Sequence, residues 1–366
     1  MTTVLISGSG VAGPALAYWL RHHGIRATVV ERAPALRPGG QAVDVRGVAL
    51  DVVDRMGLLA PLREVRTQMR GMVMLDGDGN EIMRSTEHAI SSGRLDSDDV
   101  EVLREDLTGL LYDRTKEDVE YLFDDSITAL EQDEDGVRVT FGRSAPRTFD
   151  LVVGADGLHS TVRRLAFGPE ERFVHHLGTY LSIFTAENFL ALDNWQVWIR
   201  EGQAGGGIYP VRDNTELRVN LGFESGPLPY DHRDLDAQRR LVAERCGGLR
   251  WEVPKLLEAM TTAPDFYFDA MAQVRMDTWS HGRVTLLGDA GYCASPLSGQ
   301  GTSLALVGAY VLAAELAAAP DHTTALSRYE ERMRPFATLN QALATENPGG
   351  PAAEESIDRA KNAITL

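Results

Sequence analysis

An apolar run near the amino terminus is followed at once by closely spaced glycines. Residues 3–7 (TVLIS) predict a short buried strand, and residues 12–23 carry helix formers that end at Gly24. Residues 26–30 (RATVV) predict a second strand, closed by Glu31. A strand–helix–strand unit of about thirty residues implies two parallel strands joined by a right-handed crossover.

Strand patterns dominate two other parts of the chain. Residues 71–84 alternate around the turn signal DGDGN and predict a hairpin. Residues 172–275 hold several strand-like runs, interrupted by helical patterns at 234–246 and 252–262, and predict an antiparallel sheet. Further predicted helices lie at 47–58, 99–116, 302–319 and 322–346, and further predicted strands at 119–123, 127–132 and 137–142. Residues 149–157 predict another buried strand that runs into a glycine loop.

The α/β texture at both ends, with a strand-rich part between them, predicts a discontinuous nucleotide-binding domain. The predicted division is 1–70, 100–171 and 276–321 for that domain, 71–99 and 172–275 for a substrate-binding sheet domain, 322–346 for a carboxyl-terminal helix, and 347–366 for a tail. The tail is weakly patterned, and its sequence fits either a short helix or a loose segment.

Composition narrows the possible partners. The 366 residues include 53 acidic and 36 basic side chains, a net charge of −17, which disfavours nucleic acid and anionic membranes. The two cysteines, Cys246 and Cys293, make no disulfide framework or metal-ligand spacing and fit a reducing cytoplasm. We predict no membrane span, no signal peptide and no metal site, and we expect Cys293 to be a buried apolar filler.

The first motif is the glycine pattern of Gly8, Gly10 and Gly13. Gly8 permits a tight turn, Gly10 lets a pyrophosphate approach the backbone, and Gly13 lets the helix pack against the strand. The helix start offers free N–H groups to the phosphate. Glu31 ends the second strand, where it can accept a hydrogen bond from a ribose hydroxyl. The pattern predicts dinucleotide binding, but it does not distinguish FAD from NAD.

A second motif, VVGADGLHSTVR, spans residues 152–163. Asp156 and Gly157 follow a predicted strand, where they can bring backbone and charge near a dinucleotide. Arg163 lies further into the following helix, where a cation can meet phosphate or substrate. We expect His159 to be a surface loop residue.

The third motif, LLGDAGYCASPLSGQG, begins at residue 286. Asp289 ends an apolar strand and can accept hydrogen bonds from a polyol chain. The helix that opens after Gly299 can stabilise negative charge on a ring system. A sugar-alcohol chain joined to an anion-forming ring describes a flavin.

In this order the three motifs resemble the class A flavoprotein monooxygenases, which have the p-hydroxybenzoate hydroxylase fold. In length the chain is most similar to the tetracycline-inactivating and polyketide-tailoring members. The resemblance implies an α/β fold with a Rossmann-like, GR2-type FAD-binding domain, an inserted antiparallel sheet domain for substrate, and carboxyl-terminal helices. The cofactor-binding residues that it implies are Gly8, Gly10, Gly13, Glu31, Arg32, Arg46, Arg104, Asp156, Gly157, Arg163, Gly288, Asp289, Pro296, Gly299, Gly301 and Thr302.

Within that set, the family places Glu31 on the adenosine ribose, Asp289 on the ribityl chain and residues 296–301 at the pyrimidine edge of the flavin. Arg104 matches an arginine that contacts FAD. Arg46 lies in the segment beneath the flavin, and its alternative is an exposed helix-start arginine. The sequence departs from the family at Tyr292, where histidine is common.

The resemblance also implies a reaction. NAD(P)H reduces FAD, oxygen adds at the flavin C4a position, and the resulting hydroperoxide hydroxylates an aromatic or polycyclic polyketide-like small molecule. The substrate is expected between the flavin and the sheet domain, and strand alternation points about half of the aromatic side chains elsewhere. The candidate lining residues are Trp195, Trp198, Tyr209, Phe223, Phe266 and Tyr267.

Three other functions share some of these sequence features. A flavin-dependent halogenase needs Trp-x-Trp-x-Ile, whereas Trp195 and Trp198 have a different spacing. Another FAD-dependent oxidoreductase stays open, as does a protein that holds FAD as a non-redox scaffold for cyclisation of a natural product. The expected assembly is a monomer or weak homodimer.

Overall fold

The computed structural model describes residues 2–347 and 350–366. Its strands are β1 (Thr3–Ser7), β2 (Arg26–Glu31), β3 (Ala42–Val45), β4 (Gly71–Leu75), β5 (Glu81–Ser85), β6 (His88–Ala89), β7 (Gly93–Arg94), β8 (Val100–Leu103), β9 (Glu120–Phe123), β10 (Ile127–Gln132), β11 (Val137–Phe141), β12 (Arg147–Phe149), β13 (Leu151–Gly154), β14 (Val174–Glu187), β15 (Trp195–Glu201), β16 (Ala204–Val211), β17 (Glu216–Glu224), β18 (Tyr267–Val274), β19 (Ser280–His281) and β20 (Val284–Leu286). Its helices are α1 (Ala12–His22), α2 (Val48–Arg55), α3 (Leu59–Glu64), α4 (Arg104–Asp113), α5 (Thr161–Phe167), α6 (Leu235–Cys246), α7 (Val253–Met260), α8 (Asp289–Tyr292), α9 (Gly301–Ala318), α10 (His322–Glu346) and α11 (Glu354–Lys361).

One sheet joins the two ends of the chain. Its strand order is β19-β20-β13-β1-β2-β9, and the pairs from β20 to β9 are all parallel. The predicted β1–α1–β2 unit is therefore confirmed. Strands β1, β13 and β20 are apolar because helices cover both faces of a parallel sheet.

A second, seven-stranded sheet has the order β18-β14-β17-β16-β15-β4-β5. The sheet is antiparallel, as predicted, except at one place, where β4 pairs with β15 in parallel. No hairpin fixes the direction of this pair, because more than a hundred residues, which include the segment from β8 to α5, separate the two strands. Helices α6 and α7 cover one face of this sheet, and residues of its other face line a cavity together with residues at the edge of the six-stranded sheet.

The helix predicted over 99–116 is shorter than expected. Residues Val100–Leu103 form β8, which pairs with β3, and α4 begins at Arg104. The four residues of β8 are all buried, and their alternating β-branched side chains suit a strand. Glu101 is buried with them and accepts a hydrogen bond from the Thr67 hydroxyl at 2.6 Å.

Helix α9 lies in the hydrophobic core that surrounds the six-stranded sheet. Among the described residues it alone is long and apolar enough to cross a membrane, yet 61% of it is buried inside the protein. Tyr292 packs beneath it, and its hydroxyl pairs with that of Tyr329 at 3.0 Å. Tyr292 is therefore a core residue, and the absence of a side chain at Gly308 leaves room for its hydroxyl.

Of the two options for the tail, the helical one holds. Helix α11 occupies residues Glu354–Lys361, and residues 348–349 lie outside the described part of the chain. Asn340 on α10 donates to the carbonyl of Ala360 at 3.0 Å, and Lys361 forms an ion pair with Asp99 at 2.9 Å. These contacts dock α11 onto the body of the protein.

Candidate active site

The three motifs meet at the carboxyl edge of the six-stranded sheet. The glycine loop follows β1, Glu31 ends β2, Asp156 follows β13 and Asp289 follows β20. These strands are neighbours and run in parallel, so their carboxyl ends share one edge. Ligands of open α/β sheets bind in the crevice at this edge, where the strand order reverses on either side of the first strand.

The glycine loop has the geometry that its spacing predicts. Gly8 has φ +105°, and a Cβ there would lie 2.5 Å from the Ala155 carbonyl oxygen. A Cβ on Gly13 would lie 2.0 Å from the Gly8 carbonyl oxygen, so helix α1 packs directly on the loop. A Cβ on Gly10 would meet no protein atom within 4 Å. Gly10 therefore leaves its backbone open to a ligand.

Glu31 organises the same loop. Its carboxylate accepts hydrogen bonds from the amides of Ser9 at 2.8 Å and Ala33 at 2.9 Å, one on each oxygen. Each carboxylate oxygen keeps lone-pair capacity for a ribose hydroxyl. Arg32 lines the crevice next to Glu31.

Of the two charged residues in the second motif, Asp156 lines the cavity and Arg163 does not. Asp156 lines the cavity and accepts hydrogen bonds from the amides of Thr161 and Val162 at 2.8 and 3.1 Å, so it also caps α5. Arg163 is fully buried, lies outside the cavity wall and donates to the carbonyl oxygen of Ala290 at 3.0 Å. Its terminal guanidinium nitrogens also donate to Leu158 and Glu170, whereas its Nε has no partner among the described residues. The predicted contact of Arg163 with phosphate or substrate stays a prediction.

His159 also departs from expectation, since it is half-buried on the cavity wall. Its two ring nitrogens lie 2.8 Å from Glu170 and 2.9 Å from Asp269. Burial alone would lower the pKa of His159, but the hydrogen bonds to both carboxylates raise it to about 9. His159 is therefore a cation that joins the loop after β13 to strand β18.

Asp289 is open to the cavity on one side and has protein on its other sides. Burial raises the pKa of its carboxyl, against a smaller opposing effect of the Cys293 thiol, which itself donates to the carbonyl oxygen of Ala272 at 3.6 Å. The carboxylate is thus available to ligand hydroxyls. Gly288 precedes it with φ +63°, next to Ala12 of α1, which brings this motif against the glycine loop.

The segment after Asp289 forms a rim over the cavity. Pro296, Gly299, Gly301 and Thr302 all line it, and Pro296 and Leu297 are exposed to it. Helix α9 begins at Gly301 and has no acidic residue in its first turn, so its free N–H groups stay available to negative charge.

Arg46 lies behind this rim. Its guanidinium is 5% exposed, forms an ion pair with Asp44 at 2.8 Å and lies within 4 Å of the position of a Cβ on Gly299. Its Nε has no partner among the described residues. Burial raises the pKa of Asp44 to about 7, against the attraction of Arg46 and with repulsion from Glu101. Arg46 is therefore a buried cation on the cavity wall.

Arg104 holds the opposite wall. Its guanidinium donates to the carbonyl oxygens of Arg37 and Gly39 at 2.9 and 2.7 Å. Burial and repulsion by Arg37 lower its pKa to about 10. Arg104 thus fixes the loop between β2 and β3 while its side chain lines the cavity.

The cavity measures about 1670 Å³ and runs from the glycine loop to the seven-stranded sheet. Sites for one drug-sized ligand span roughly 300–1,000 Å³, so the space admits a dinucleotide and a second molecule. On the sheet, Trp198 lies flat over Gly207, where a Cβ would be 2.7 Å from the ring. The indole N–H donates to Gln196 at 3.0 Å, and Gln196 donates to Ser91.

Strand alternation separates the aromatic candidates. Trp198 and Tyr209 line the cavity, and Phe223 touches it while stacking in the core on Tyr180. Trp195 and Phe266 lie outside the cavity wall: Trp195 packs by Gly71, and Phe266 lies under α6 with Arg239 at 5.0 Å. Tyr267 also lies outside the wall and donates to Asp269.

Sequence reasoning missed other wall residues. The sheet also contributes Met72, Met74, Leu181, Asn220 and Met271. Which face of the sheet these side chains occupy can be told only when the strand register is known. The carboxyl-terminal residues 344–347 and 350–361 close one side through Ala344, Ile357 and Lys361. A sequence signal for the helix existed, because acidic residues begin and basic residues end α11, as the helix dipole favours, but no sequence signal places this helix on the cavity.

This parallel-sheet crevice, extended over an inserted sheet, is the arrangement of class A flavoprotein monooxygenases. The FAD binding domain profile matches residues 1–344. A flavin-dependent monooxygenase from an unknown prokaryotic organism is 41% identical over 340 residues, covering 93% of this chain and 88% of that protein. One from Legionella longbeachae is 40% identical over 342 residues, covering 92% and 86%. An uncharacterized protein of Mycobacterium tuberculosis is 54% identical over 369 residues, covering 100% and 99%.

Among solved structures, the tetracycline destructase Tet(51) superposes with a TM-score of 0.90 at 36% identity, covering 100% of this chain and 99% of that one. The chain belongs to the FAD-binding-domain family of flavin-dependent monooxygenases. It is an FAD-dependent monooxygenase that acts on a small molecule.

The residues present fit FAD. The glycine loop leaves space where a pyrophosphate needs it, and Glu31 has acceptor capacity where a ribose needs it. Asp289 has a carboxylate that the described protein groups leave largely unpaired, which suits the hydroxyls of a ribityl chain. The start of α9 offers N–H groups to a ring that becomes anionic on reduction.

Proposed function

We propose that this enzyme hydroxylates a planar, polycyclic aromatic or polyketide-like compound, with tetracyclines as one class, using O2 and NAD(P)H. The observation that carries the proposal is the single cavity of about 1670 Å³ that joins the FAD-binding residues to the wall containing Trp198. The likeness to a tetracycline destructase over the whole chain supports the same class of substrate.

Bound FAD would supply the redox chemistry and the activation of oxygen. The chain's own residues bind and orient: Gly10 admits the pyrophosphate, Glu31 and Asp289 accept from hydroxyls, and the start of α9 stabilises negative charge. This cofactor-binding set, including Arg32, Arg46, Arg104 and Thr302 on the wall, is part of the proposal.

Trp198 supports a flat substrate. Its face is held open to the cavity by the hydrogen bond to Gln196 and by the missing side chain of Gly207. Offset stacking on an aromatic ring favours a planar partner. Met72 and Met74 add adaptable apolar surface beside the indole.

The wall also keeps water out. Bulk water in the cavity would favour release of hydrogen peroxide over transfer of oxygen to the substrate. The seven-stranded sheet covers one side of the cavity and α11 another.

A cytoplasmic location, which the two free buried cysteines favour, and a monomeric or weakly dimeric state belong to the same proposal.

The test uses purified FAD-loaded protein with tetracycline as the first probe and NADH or NADPH as reductant. We expect nucleotide oxidation, oxygen uptake and loss of tetracycline to occur together, with a product heavier by one oxygen atom. Tetracycline consumed without nucleotide oxidation or oxygen uptake would support the non-redox scaffold and end the monooxygenase proposal. Oxidation that is uncoupled for tetracycline but coupled for another polycyclic phenol would overturn only the tetracycline part.

A further inference from the structure

A group of three metal-ligating side chains lies where the two sheets meet. His159 comes from the loop between β13 and α5, Asp269 from β18, and His232 from the segment before α6. One ligand atom from each residue lies within 4.8 Å of the others. The rings of His159 and His232 are 4.4 Å apart between centroids.

The surroundings orient two of these side chains. The Nδ1 atom of His159 hydrogen-bonds Glu170 at 2.8 Å, and Arg163 donates to the other oxygen of Glu170 at 3.1 Å. A histidine that binds a metal through one nitrogen commonly donates from the other to a carboxylate, which fixes its orientation. Glu170 occupies that outer position here.

Asp269 is held in the same way. Its Oδ1 accepts from the Tyr230 hydroxyl at 3.0 Å and from the Ala270 amide at 2.8 Å, and its Oδ2 accepts from Tyr267 at 2.9 Å. The carboxylate is 7% exposed, so its position is fixed by packing as well.

The His232 ring, in contrast, is not held by a hydrogen bond among the described residues. It packs against the rings of His159 and Tyr230. It is exposed on the solvent side of the cluster, where it is free to supply a ligand nitrogen and where an ion can enter.

We propose that His159, His232 and Asp269 form a binding site for a divalent transition-metal ion of the zinc class. Two imidazoles and one carboxylate, with a fourth position left to water, are a ligand set that Zn²⁺ accepts. The ion replaces the proton on His159 that Asp269 now accepts, and the Nδ1 proton stays on the hydrogen bond to Glu170. This set favours zinc over magnesium, which prefers oxygen ligands.

The location gives the ion a structural effect. His159 lies three residues after Asp156 on the cofactor-side loop, while Asp269 belongs to the substrate-side sheet. A bound ion would join these two parts with coordinate bonds. Because it binds the folded chain, it would raise the melting temperature in proportion to the logarithm of its concentration over its dissociation constant.

The experiment titrates Zn²⁺, and in parallel Mg²⁺, into the FAD-loaded full chain by isothermal calorimetry in a non-chelating buffer. We expect Zn²⁺ to saturate at one ion per chain and to raise the melting temperature, and we expect no saturable Mg²⁺ heat. His232→Ala removes one ligand from an exposed position without touching the His159–Asp269 bridge, and should weaken Zn²⁺ binding by at least about tenfold.

The matched control is His175→Ala, which removes an exposed histidine from β14 outside the cluster. It should leave Zn²⁺ affinity unchanged, and both variants should keep the wild-type flavin content. The proposal fails if Zn²⁺ gives no saturable binding, if His232→Ala binds as wild type does, or if His175→Ala weakens binding equally. Mg²⁺ binding as tight as Zn²⁺ binding would reduce the cluster to an unselective acidic patch and also overturn it.

Discussion

At the scale of single residues, Gly8 and Gly10 are predicted to fail for different reasons when they are changed to alanine. At Gly8 the added Cβ would meet the Ala155 carbonyl oxygen at 2.5 Å on a backbone with φ +105°, so Gly8→Ala should cost about 1–3 kcal/mol of unfolding free energy. At Gly10 the Cβ meets no protein atom, so Gly10→Ala should keep the stability of the FAD-free protein and bind FAD more weakly.

Urea unfolding of the FAD-free variants and flavin absorbance per chain after reconstitution check this pair. A Gly10→Ala protein that is as unstable as Gly8→Ala would contradict the open geometry at Gly10. Equal flavin content in Gly10→Ala and wild type would contradict the approach of the pyrophosphate at that glycine.

Asp44 gives a pH prediction. Its pKa is raised from 3.8 to about 7, mainly by burial, so between these values the folded state binds more protons than the unfolded state. The stability contribution of Asp44 is therefore lost as pH rises from about 4 to about 7. Asp44→Asn should remove this loss and give a shallower decline of unfolding free energy over that range.

A carboxyl whose pKa is lowered, rather than raised, serves as the control. The pKa of Asp150 is lowered despite its burial, because Thr3 donates to it through its amide and its hydroxyl. Asp150→Asn should therefore lower stability near neutral pH, with a difference from wild type that shrinks as pH falls through the Asp150 pKa. Urea unfolding of both variants from pH 3 to pH 8 measures the two trends, and the same trend in both would contradict the assignment.

At the scale of elements, strand β15 presents two tryptophans to opposite sides. Trp198 faces the cavity, whereas Trp195 packs against Gly71 with Arg84 over its ring at 4.9 Å. Trp198→Ala should raise KM for a polycyclic substrate roughly tenfold, the loss of one good stacking contact. Trp195→Ala should lower the unfolding free energy and leave KM unchanged. Steady-state kinetics and thermal melts separate these effects, and an equal rise of KM in both would contradict the assigned faces.

The same strand shows what a sequence can and cannot predict at this scale. The pattern predicted β15 as a strand, but it did not tell which tryptophan faces the cavity. Alternation separates the side chains of a strand into two faces, and only the neighbouring strands decide which face points to the cavity. Strand β4 illustrates the limit more strongly. Its parallel pairing with β15 joins two segments more than a hundred residues apart, and no turn between them records the direction. Segment β8 was mistaken for helix because its pairing partner β3 lies far along the chain.

At the scale of the molecule, the cofactor end was predictable from sequence and the substrate end was not. The glycine loop, Glu31, Asp156 and Asp289 each follow or end a parallel strand, so the topology alone brings them to one edge. The substrate wall is assembled from side chains of the second sheet and from α11, which no short motif encodes. The positions of Arg163 and His159 could not be predicted from their motif, because their partners Ala290 and Asp269 belong to other parts of the chain.

Closure of the cavity by α11 leads to a prediction about the whole enzyme. Ile357 and Lys361 line the cavity, and the Lys361–Asp99 ion pair is 15% and 11% exposed at its two ends. Removal of residues 351–366 should open this wall to bulk water. Because water favours hydrogen peroxide release over oxygen transfer, a larger share of the consumed oxygen should return as peroxide. Oxygen recovered after addition of catalase measures that share.

Glu355→Ala is the matched control for this truncation, because Glu355 is exposed on α11 and lies outside the cavity wall. It should leave the yield of product per oxygen consumed unchanged. The truncated protein should keep its flavin, since the described cofactor-edge residues all precede residue 303. Unchanged coupling in a truncated, flavin-loaded enzyme would mean that α11 covers the cavity without protecting the reaction from water.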